Sequence, residues 1–328
     1  MTEPIRWGIL GTGNIAGSFA TGLQSVEDAE LVAVGSRTQD SADAFGDRFD
    51  IARRHAGYDA LADDPDVDVV YIATPHSYHM ENSILCLEAG KAVLCEKPFA
   101  MNTGEAEKII HCAREKSIFL MEAMWTRFLP AVVQVRQWLS EGAIGEVRML
   151  SADFGFRTNV NPDGRLFNPA LGGGGLLDVG IYPVSLASLV FAEQPSRISG
   201  LADIGDTGVD EQGAMVLGYD DGQIAVLYCA VRTSTPMEAI IMGTEGSIRI
   251  ASPFWKATSA TLSVNGKDPV QVDMPFAGNG YNYEAAEVDR CLRAGLLEND
   301  TMPLEETLDI MRTLDRIRAH WGLRYPAD

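Results

Sequence analysis

Gly11-Thr12-Gly13-Asn14-Ile15-Ala16 follows an apolar run, PIRWGIL, and opens an amphipathic segment. No other stretch constrains the fold as strongly as this G-x-G-x-x-A at a strand-to-helix junction. Gly11 permits a tight turn, Gly13 lets the backbone approach a pyrophosphate, and Ala16 allows the helix to pack closely on the strand. The first helical N–H groups then face the anion. Gly11, Thr12, Gly13, Asn14 and Ile15 are therefore candidate dinucleotide ligands. The motif alone is weak, but here a second strand pattern, ELVAVG at 30–35, follows at the expected distance.

The first third of the chain alternates two periods. Strand patterns at 4–10, 30–35, 67–75, 91–98 and 118–124 are separated by helical patterns at 12–24, 39–49, 79–89 and 103–116, with a short segment around 51–64. Near-continuous apolar strands between helices of this length predict a parallel sheet covered on both faces, a doubly wound Rossmann α/β domain. After residue 124 the rhythm changes. Helical patterns at 130–141 and 176–191 bracket a strand at 146–156. Strand-like runs follow at 196–204, 212–219, 223–231, 237–242 and 246–250, joined by short turns such as Tyr219-Asp-Asp-Gly222. Such neighbours predict an α+β domain with an open, largely antiparallel sheet. Helices near 281–294 and 303–320 end the chain. The expected division is residues 1–123 for cofactor binding and 124–328 for substrate binding and dimerisation.

Composition limits the partners. The formal net charge of −20 would repel nucleic-acid phosphate, although a local basic pocket for an anionic cofactor remains compatible with it. No run approaches the uninterrupted apolar length of a membrane span, and the N-terminus has no signal-peptide pattern. The five cysteines, Cys86, Cys95, Cys112, Cys229 and Cys291, form no C-x-x-C pair. They point to a reducing cytoplasm rather than to a disulfide framework or a zinc site. His76 and His79 lack nearby Cys or Asp partners in sequence, so no metal is expected.

The end of the second strand selects the cofactor. An NAD site usually offers Asp or Glu there for the ribose hydroxyls. This chain offers Ser36, Arg37 and Thr38. Two hydroxyls and a guanidinium suit a 2′-phosphate, which predicts a preference for NADP. In an open parallel sheet, ligands bind beyond the carboxyl ends of the strands. Thr74-Pro75 and Glu96-Lys97-Pro98 both fall at such ends, so Lys97 should reach the nicotinamide.

GILGTGNIA (8–16), ATPHSYH (73–79), AGKAVLCEKP (89–98) and GGGGLLDVGIYPVSL (172–186) together resemble the glucose–fructose oxidoreductase, inositol dehydrogenase and rhizopine-catabolism family of NAD(P)-dependent oxidoreductases. EAMWTRFLP (122–130) resembles its dimeric dihydrodiol dehydrogenase and NADP-dependent D-xylose dehydrogenase branch. The resemblance covers essentially the whole chain. It implies that Lys97 is the catalytic-site lysine and that Asp178 and Tyr182 form the family's D-x-x-x-H/Y element. Tyr rather than His at 182 favours the dihydrodiol and sugar branch over inositol dehydrogenases. It also implies that Thr74 and His79 lie on the cofactor side and that Trp125 and Arg127 border the cleft.

The residues themselves permit the same roles. Four-residue spacing places Asp178 and Tyr182 on one helical face, unless Pro183 makes the helix begin near Gly180 with Asp178 as its N-cap. The glycine run 172–175 reads as a flexible approach to that helix. Oxidation of an alcohol needs a hydride acceptor and a base. An ammonium and an oxidised nicotinamide nearby would favour the phenolate of a tyrosine, making Tyr182 the candidate base; Lys97 is the rival. Trp125, Phe154, Phe156, Trp255 and Phe276 are candidate walls for a small sugar, polyol or diol. A cofactor-binding regulator and a glycoside hydrolase assisted by bound nicotinamide are the competing functions. The uncovered face of the second sheet predicts a homodimer.

Overall fold

β1 (Ile5–Leu10) ends in four consecutive buried residues and runs directly into the glycine loop. In the computed structural model, which describes residues 3–328, it lies inside a six-stranded parallel sheet. The other strands are β2 (Ala29–Ser36), β3 (Arg53–Ala56), β4 (Val69–Ile72), β5 (Ala92–Glu96) and β6 (Leu120–Ala123), in the order β3-β2-β1-β4-β5-β6. Every residue of β4 and β5 is buried, as expected for strands covered on both faces. The helices between strands are α1 (Asn14–Leu23), α2 (Gln39–Phe49), α3 (Tyr58–Ala62), α4 (His79–Glu88) and α5 (Thr103–Lys116). Their ends are locally encoded. Asn102 caps α5 by accepting from the Glu105 N–H at 2.9 Å, and Thr38 caps α2 by accepting from the Ser41 N–H at 3.3 Å.

Strand order reverses between β1 and β4, and register aligns their exits. Leu10 pairs with Ile72, and Ile72 pairs with Cys95. The residues that follow, at positions 11, 73 and 96, therefore leave the sheet along one edge, on adjacent strands about 4.8 Å apart. This is the switch point at which doubly wound sheets bind ligands.

Contacts divide the chain into Met1–Trp125 with Ala277–Leu308, and Thr126–Phe276 with Asp309–Asp328. The first boundary follows Trp125, and segment 277–308 groups with the first unit. The cause is α8 (Tyr281–Arg293), which packs on α1. Trp7 Nε1 donates to Asp289 Oδ1 at 3.0 Å, and Asn279 Nδ2 donates to the Ser18 carbonyl at 2.7 Å. These pairings span more than 260 residues, which no local pattern reports.

The second unit holds α6 (Pro130–Ser140), β7 (Val147–Gly155), α7 (Ile181–Phe191) and an eight-stranded sheet completed by β8 (Arg197–Ile204), β9 (Asp210–Gly218), β10 (Ile224–Ala230), β11 (Ala239–Gly243), β12 (Gly246–Ile250), β13 (Ser259–Val264) and β14 (Val270–Asp273). Its order is β14-β13-β12-β11-β7-β10-β9-β8. Only β7 and β10 pair in parallel; every other pair is antiparallel. α6 and α7 pack on this sheet. Its opposite face exposes Leu201, Met149, Val216 and Val226. The stretch Pro169–Phe191 is long and apolar enough by composition to cross a membrane, yet 78% of its window is buried inside the protein. It is a core helix of this unit. α9 (Leu304–Trp321) closes the chain.

Candidate active site

The glycine loop meets the geometric demands of a dinucleotide cradle. Gly11 sits at φ +107°, and a Cβ there would lie 2.8 Å from the Ala73 carbonyl oxygen. Only glycine satisfies both the conformation and the contact. Gly13 is the reverse case. Its φ is an ordinary −75°, and a Cβ would meet no protein atom within 4 Å. The space before it is open, and Gly13 has no side chain with which to cap α1. An anion can approach that backbone directly. Asn14 is exposed, Thr12 and Ile15 are half-buried, and Thr12 Oγ1 lies 3.3 Å from Ser36 Oγ, tying the loop to the end of β2. These residues fit a dinucleotide. Arg37, next in the chain, is exposed. Thr38 caps α2: its hydroxyl accepts from Ser41 N and donates to Ser41 Oγ at 2.9 Å.

Across the same sheet edge, Thr74 and His79 act as struts. His79 is completely buried, with Nδ1 2.8 Å from the Pro98 carbonyl and Nε2 2.9 Å from the Thr74 carbonyl. Burial pushes its pKa down to about 4. Both ring nitrogens face backbone, so His79 ties the turn after β4 to the turn after β5 instead of offering a polar atom to a cofactor. Thr74 Oγ1 accepts from Asn82 Nδ2 at 3.1 Å, and Pro75 opens the 3₁₀ turn His76–Tyr78.

Glu96 is also turned inward. It is buried, accepts from the Tyr71 hydroxyl, and accepts from the Lys97 N–H at 3.2 Å. Both contacts fix the strand exit. Lys97 is half-buried and precedes a cis peptide to Pro98. Glu284 of α8 is fully buried; burial, then the nearby Glu96, push its carboxyl well above the usual range. Trp125 is 2% exposed and stacks on Tyr281, centroids 4.3 Å apart and planes at 11°. That contact makes it interior rather than an open wall.

In the second unit, the chain passes from Gly175 through a wide π-type turn, Leu176–Gly180, straight into α7. The α-helix proper therefore begins at Ile181, next to Gly180 as the Pro183 reading expects, but its N-cap is Gly180, and Asp178 lies inside the wide turn ahead of it. Pro183 has no N–H to bond four residues back, and the widened turn ahead of it accommodates that loss. Asp178 is 4% exposed and accepts from Arg165 Nη1 at 2.6 Å. Tyr182 belongs to an aromatic cluster: Phe154 and Trp255 stack at 4.8 Å and 2°, and Tyr182 lies 5.4 Å from Phe154 and 6.1 Å from Trp255. Phe156 lies 6.3 Å from Phe154. Thr126 Oγ1 donates to the Trp255 carbonyl at 2.8 Å and fixes that wall from behind. Phe276 is half-buried at the end of the segment. Arg127 does not border open space. It is 3% exposed, with Nε 3.2 Å from Ser185 Oγ and Nη2 3.0 Å from the Ser185 carbonyl, and it anchors α7.

Residues 5–124 match the oxidoreductase family with an NAD-binding Rossmann fold, and residues 132–249 match the GFO/IDH/MocA C-terminal domain. The chain belongs to the GFO/IDH/MocA oxidoreductase family. Trans-1,2-dihydrobenzene-1,2-diol dehydrogenase of Mus musculus is 39% identical, covering 99% of each chain, and that of Homo sapiens is 37% identical with the same coverage. Among solved structures, aldose-aldose oxidoreductase from Caulobacter crescentus, complexed with glycerol, superposes with a TM-score of 0.89 at 25% identity over 97% of each chain. A 3-ketoreductase from Actinomadura kijaniata, in complex with NADP and TDP-benzene, does so at 0.85 and 27% identity, covering 97% of this chain and 98% of that one.

As a family member the chain is an NAD(P)-dependent oxidoreductase with a nucleotide-binding Rossmann unit. Motif reading missed Arg165, Asn82, Tyr71 and Glu284. Arg165 stands 13 residues before its partner Asp178, and Tyr71 stands 25 before Glu96. The available signal was a basic residue in the loop ahead of the glycine run, and a tyrosine inside an otherwise aliphatic strand.

Proposed function

We propose that this enzyme is an NADP-preferring dehydrogenase that moves a hydride between a hydroxyl-bearing carbon of a diol or sugar and the nicotinamide. Gly11, Thr12, Gly13, Asn14 and Ile15 would hold the pyrophosphate, and Ser36 with Arg37 the 2′-phosphate. When bound, NADP supplies the hydride acceptor. Lys97 holds the substrate oxygen with its ammonium. Tyr182 takes the hydroxyl proton as the carbonyl forms. Asp178, kept in place by Arg165, orients a substrate hydroxyl or the lysine. Phe154 and Trp255 offer parallel ring faces to the C–H surface of a sugar or to a dihydroxylated ring.

The observation that carries the reading is register. The glycine loop and Lys97 leave one edge of the first sheet, and Glu96 and Pro98 fix the lysine's backbone by hydrogen bonds to Tyr71, Lys97 N and His79. Relatives that act on a diol and on aldoses support the substrate class. The test follows absorbance of reduced nicotinamide while offering dihydrodiols, aldoses, polyols and nitrophenyl glycosides with NADP or NAD. The reading expects NADP reduction by a diol or an aldose. Release of nitrophenol without net reduction, or cofactor binding without turnover across the whole set, would refute it.

The uncovered face of the eight-stranded sheet fits a second copy of the chain. Val216 and Val226 face each other across β9 and β10, Leu201 is 83% exposed on the neighbouring strand, and Met149 lies on β7. A contiguous apolar face at the centre of an open sheet suits a self-complementary two-fold contact. Sedimentation should give a dimer that Leu201→Glu with Val226→Glu converts to monomer. A monomeric wild type would exclude it. All five thiols are free, which agrees with a cytoplasmic enzyme.

A further inference from the structure

We infer that Asp210 is a positioning residue for this reaction, its buried carboxylate pinning the backbone of the turn that presents Asp178 and Tyr182. The inference rests on the function proposed above. Asp210 opens β9, 32 residues after Asp178, and is 0% exposed. Its Oδ2 accepts from the Leu176 N–H at 2.6 Å, at the first residue of the π-type turn. Its other oxygen, Oδ1, is buried without a hydrogen-bond partner.

The glycine run is shaped around this group. Gly174 has φ +115°, and a Cβ there would fall 2.2 Å from Asp210 Oδ1. A Cβ on Gly175 would lie 3.2 Å from Oδ2. On the other side of the run, a Cβ on Gly173 would meet the backbone of Arg165 and Leu166 at 2.8 Å, and the Tyr325 hydroxyl donates to the Gly173 carbonyl. Gly180, two residues before Tyr182, is pressed against Cys229 of β10, whose Sγ would lie 3.0 Å from a Cβ. The run 172–175 is therefore a tightly packed ledge and not the flexible approach its composition predicts. At Gly173 and Gly174 backbone and carboxylate come closer than a side chain allows, and at Gly175 and Gly180 the fit is tight.

A buried carboxyl is an expensive way to hold a turn, and this one is met by backbone N–H groups of Leu176, Gly175 and its own residue. Burial raises the Asp210 pKa to about 7, opposed by the N–H groups of Leu176, Asp210 itself and Gly175, and then by Arg318. The charged and titratable groups that interact with it are Cys229 of β10, Arg318 of α9 and Tyr325 beyond α9. Arg318 is paired with Asp315 and Asp328. Ionisation strengthens the bond to Leu176 N–H and tightens the turn; protonation loosens it.

The experiment compares Asp210→Ala and Asp210→Asn with wild type. Asp210→Ala is expected to lower kcat about tenfold to a hundredfold, the scale of a small misplacement of reacting groups, with KM for NADP within about twofold. Asp210→Asn keeps shape and acceptor but cannot ionise. It should hold kcat within about threefold and lose a kcat inflection near pH 7 that wild type shows. Asp210→Ala within twofold of wild type, or the same pH profile for Asp210→Asn and wild type, overturns the inference. If the alanine variant does not fold, the asparagine comparison decides alone. A second readout needs no turnover: 4-fluorophenylalanine at position 182, which has no hydroxyl of its own to titrate, should show a ¹⁹F shift that titrates near pH 7 with Asp210 in place and is flat in Asp210→Asn. Should no substrate be found, this resonance still tests Asp210, and its silence refutes the coupling independently of the proposed function.

Discussion

Gly13→Ala separates cofactor binding from folding more cleanly than any other substitution here. The backbone at Gly13 is already in a conformation open to any residue, and the added methyl meets no protein atom within 4 Å. Alanine is a poorer N-cap than glycine by about 0.5–1 kcal/mol, and it recovers about 0.4–1 kcal/mol by restricting the unfolded chain. The two terms nearly cancel, so the melting temperature should stay within a few degrees. The same methyl occupies the space through which an anion reaches the loop backbone. Losing that approach should weaken NADP binding at least about tenfold, or roughly 1.4 kcal/mol. Gly11→Ala is the contrasting control. With φ +107° and a carbonyl oxygen 2.8 Å from the new Cβ, it combines about 1–3 kcal/mol of backbone strain with about 1–3 kcal/mol of overpacking. Thermal denaturation and nicotinamide-fluorescence titration of both variants give the comparison. Unaltered NADP affinity in Gly13→Ala would refute the cradle, and a large loss of stability there would refute the open geometry.

Other outcomes follow from the same geometry. Lys97→Met should retain NADP binding by fluorescence titration and lose about a hundredfold or more in kcat. Arg37→Ala should raise the Kd for NADP about tenfold while leaving that for NAD within twofold, since only the 2′-phosphate distinguishes them. Asp210 keeps its proton to about pH 7 in the folded state and releases it near 3.8 once unfolded. Between those values the folded state binds more protons, so its contribution to stability falls as pH rises. Denaturation midpoints of wild type should therefore decline relative to Asp210→Asn from pH 4 to 7.

What the sequence made legible was local. The fingerprint, the apolar strands and the strand-end lysine each lie within a window of about ten residues, where period and turn chemistry suffice. β3, reading RRHA, was not recognisable because its side chains are charged and half-exposed. β13 and β14 sit at the polar edge of the second sheet and lack a clear alternation. The return of α8 to the first unit depends on Trp7 meeting Asp289, a pairing with no sequence signature. The site divides the same way. The proposed catalytic residues, Lys97, Asp178 and Tyr182, lie in motifs. The residues that aim them, Arg165, Glu96 through Tyr71, and Asp210, act through contacts between distant positions. Trp125 and Arg127 look like pocket residues by type; packing on Tyr281 and bonding to Ser185 put both in the interior.

The central claim is direct hydride transfer from a substrate carbinol carbon. It is tested most directly with a diol or aldose deuterated at that carbon, turned over with NADP, and the recovered cofactor analysed by mass and NMR. Deuterium on C4 of the reduced nicotinamide, on a single face, is the predicted result. Deuterium washed into solvent, or an unlabelled reduced cofactor, would contradict it.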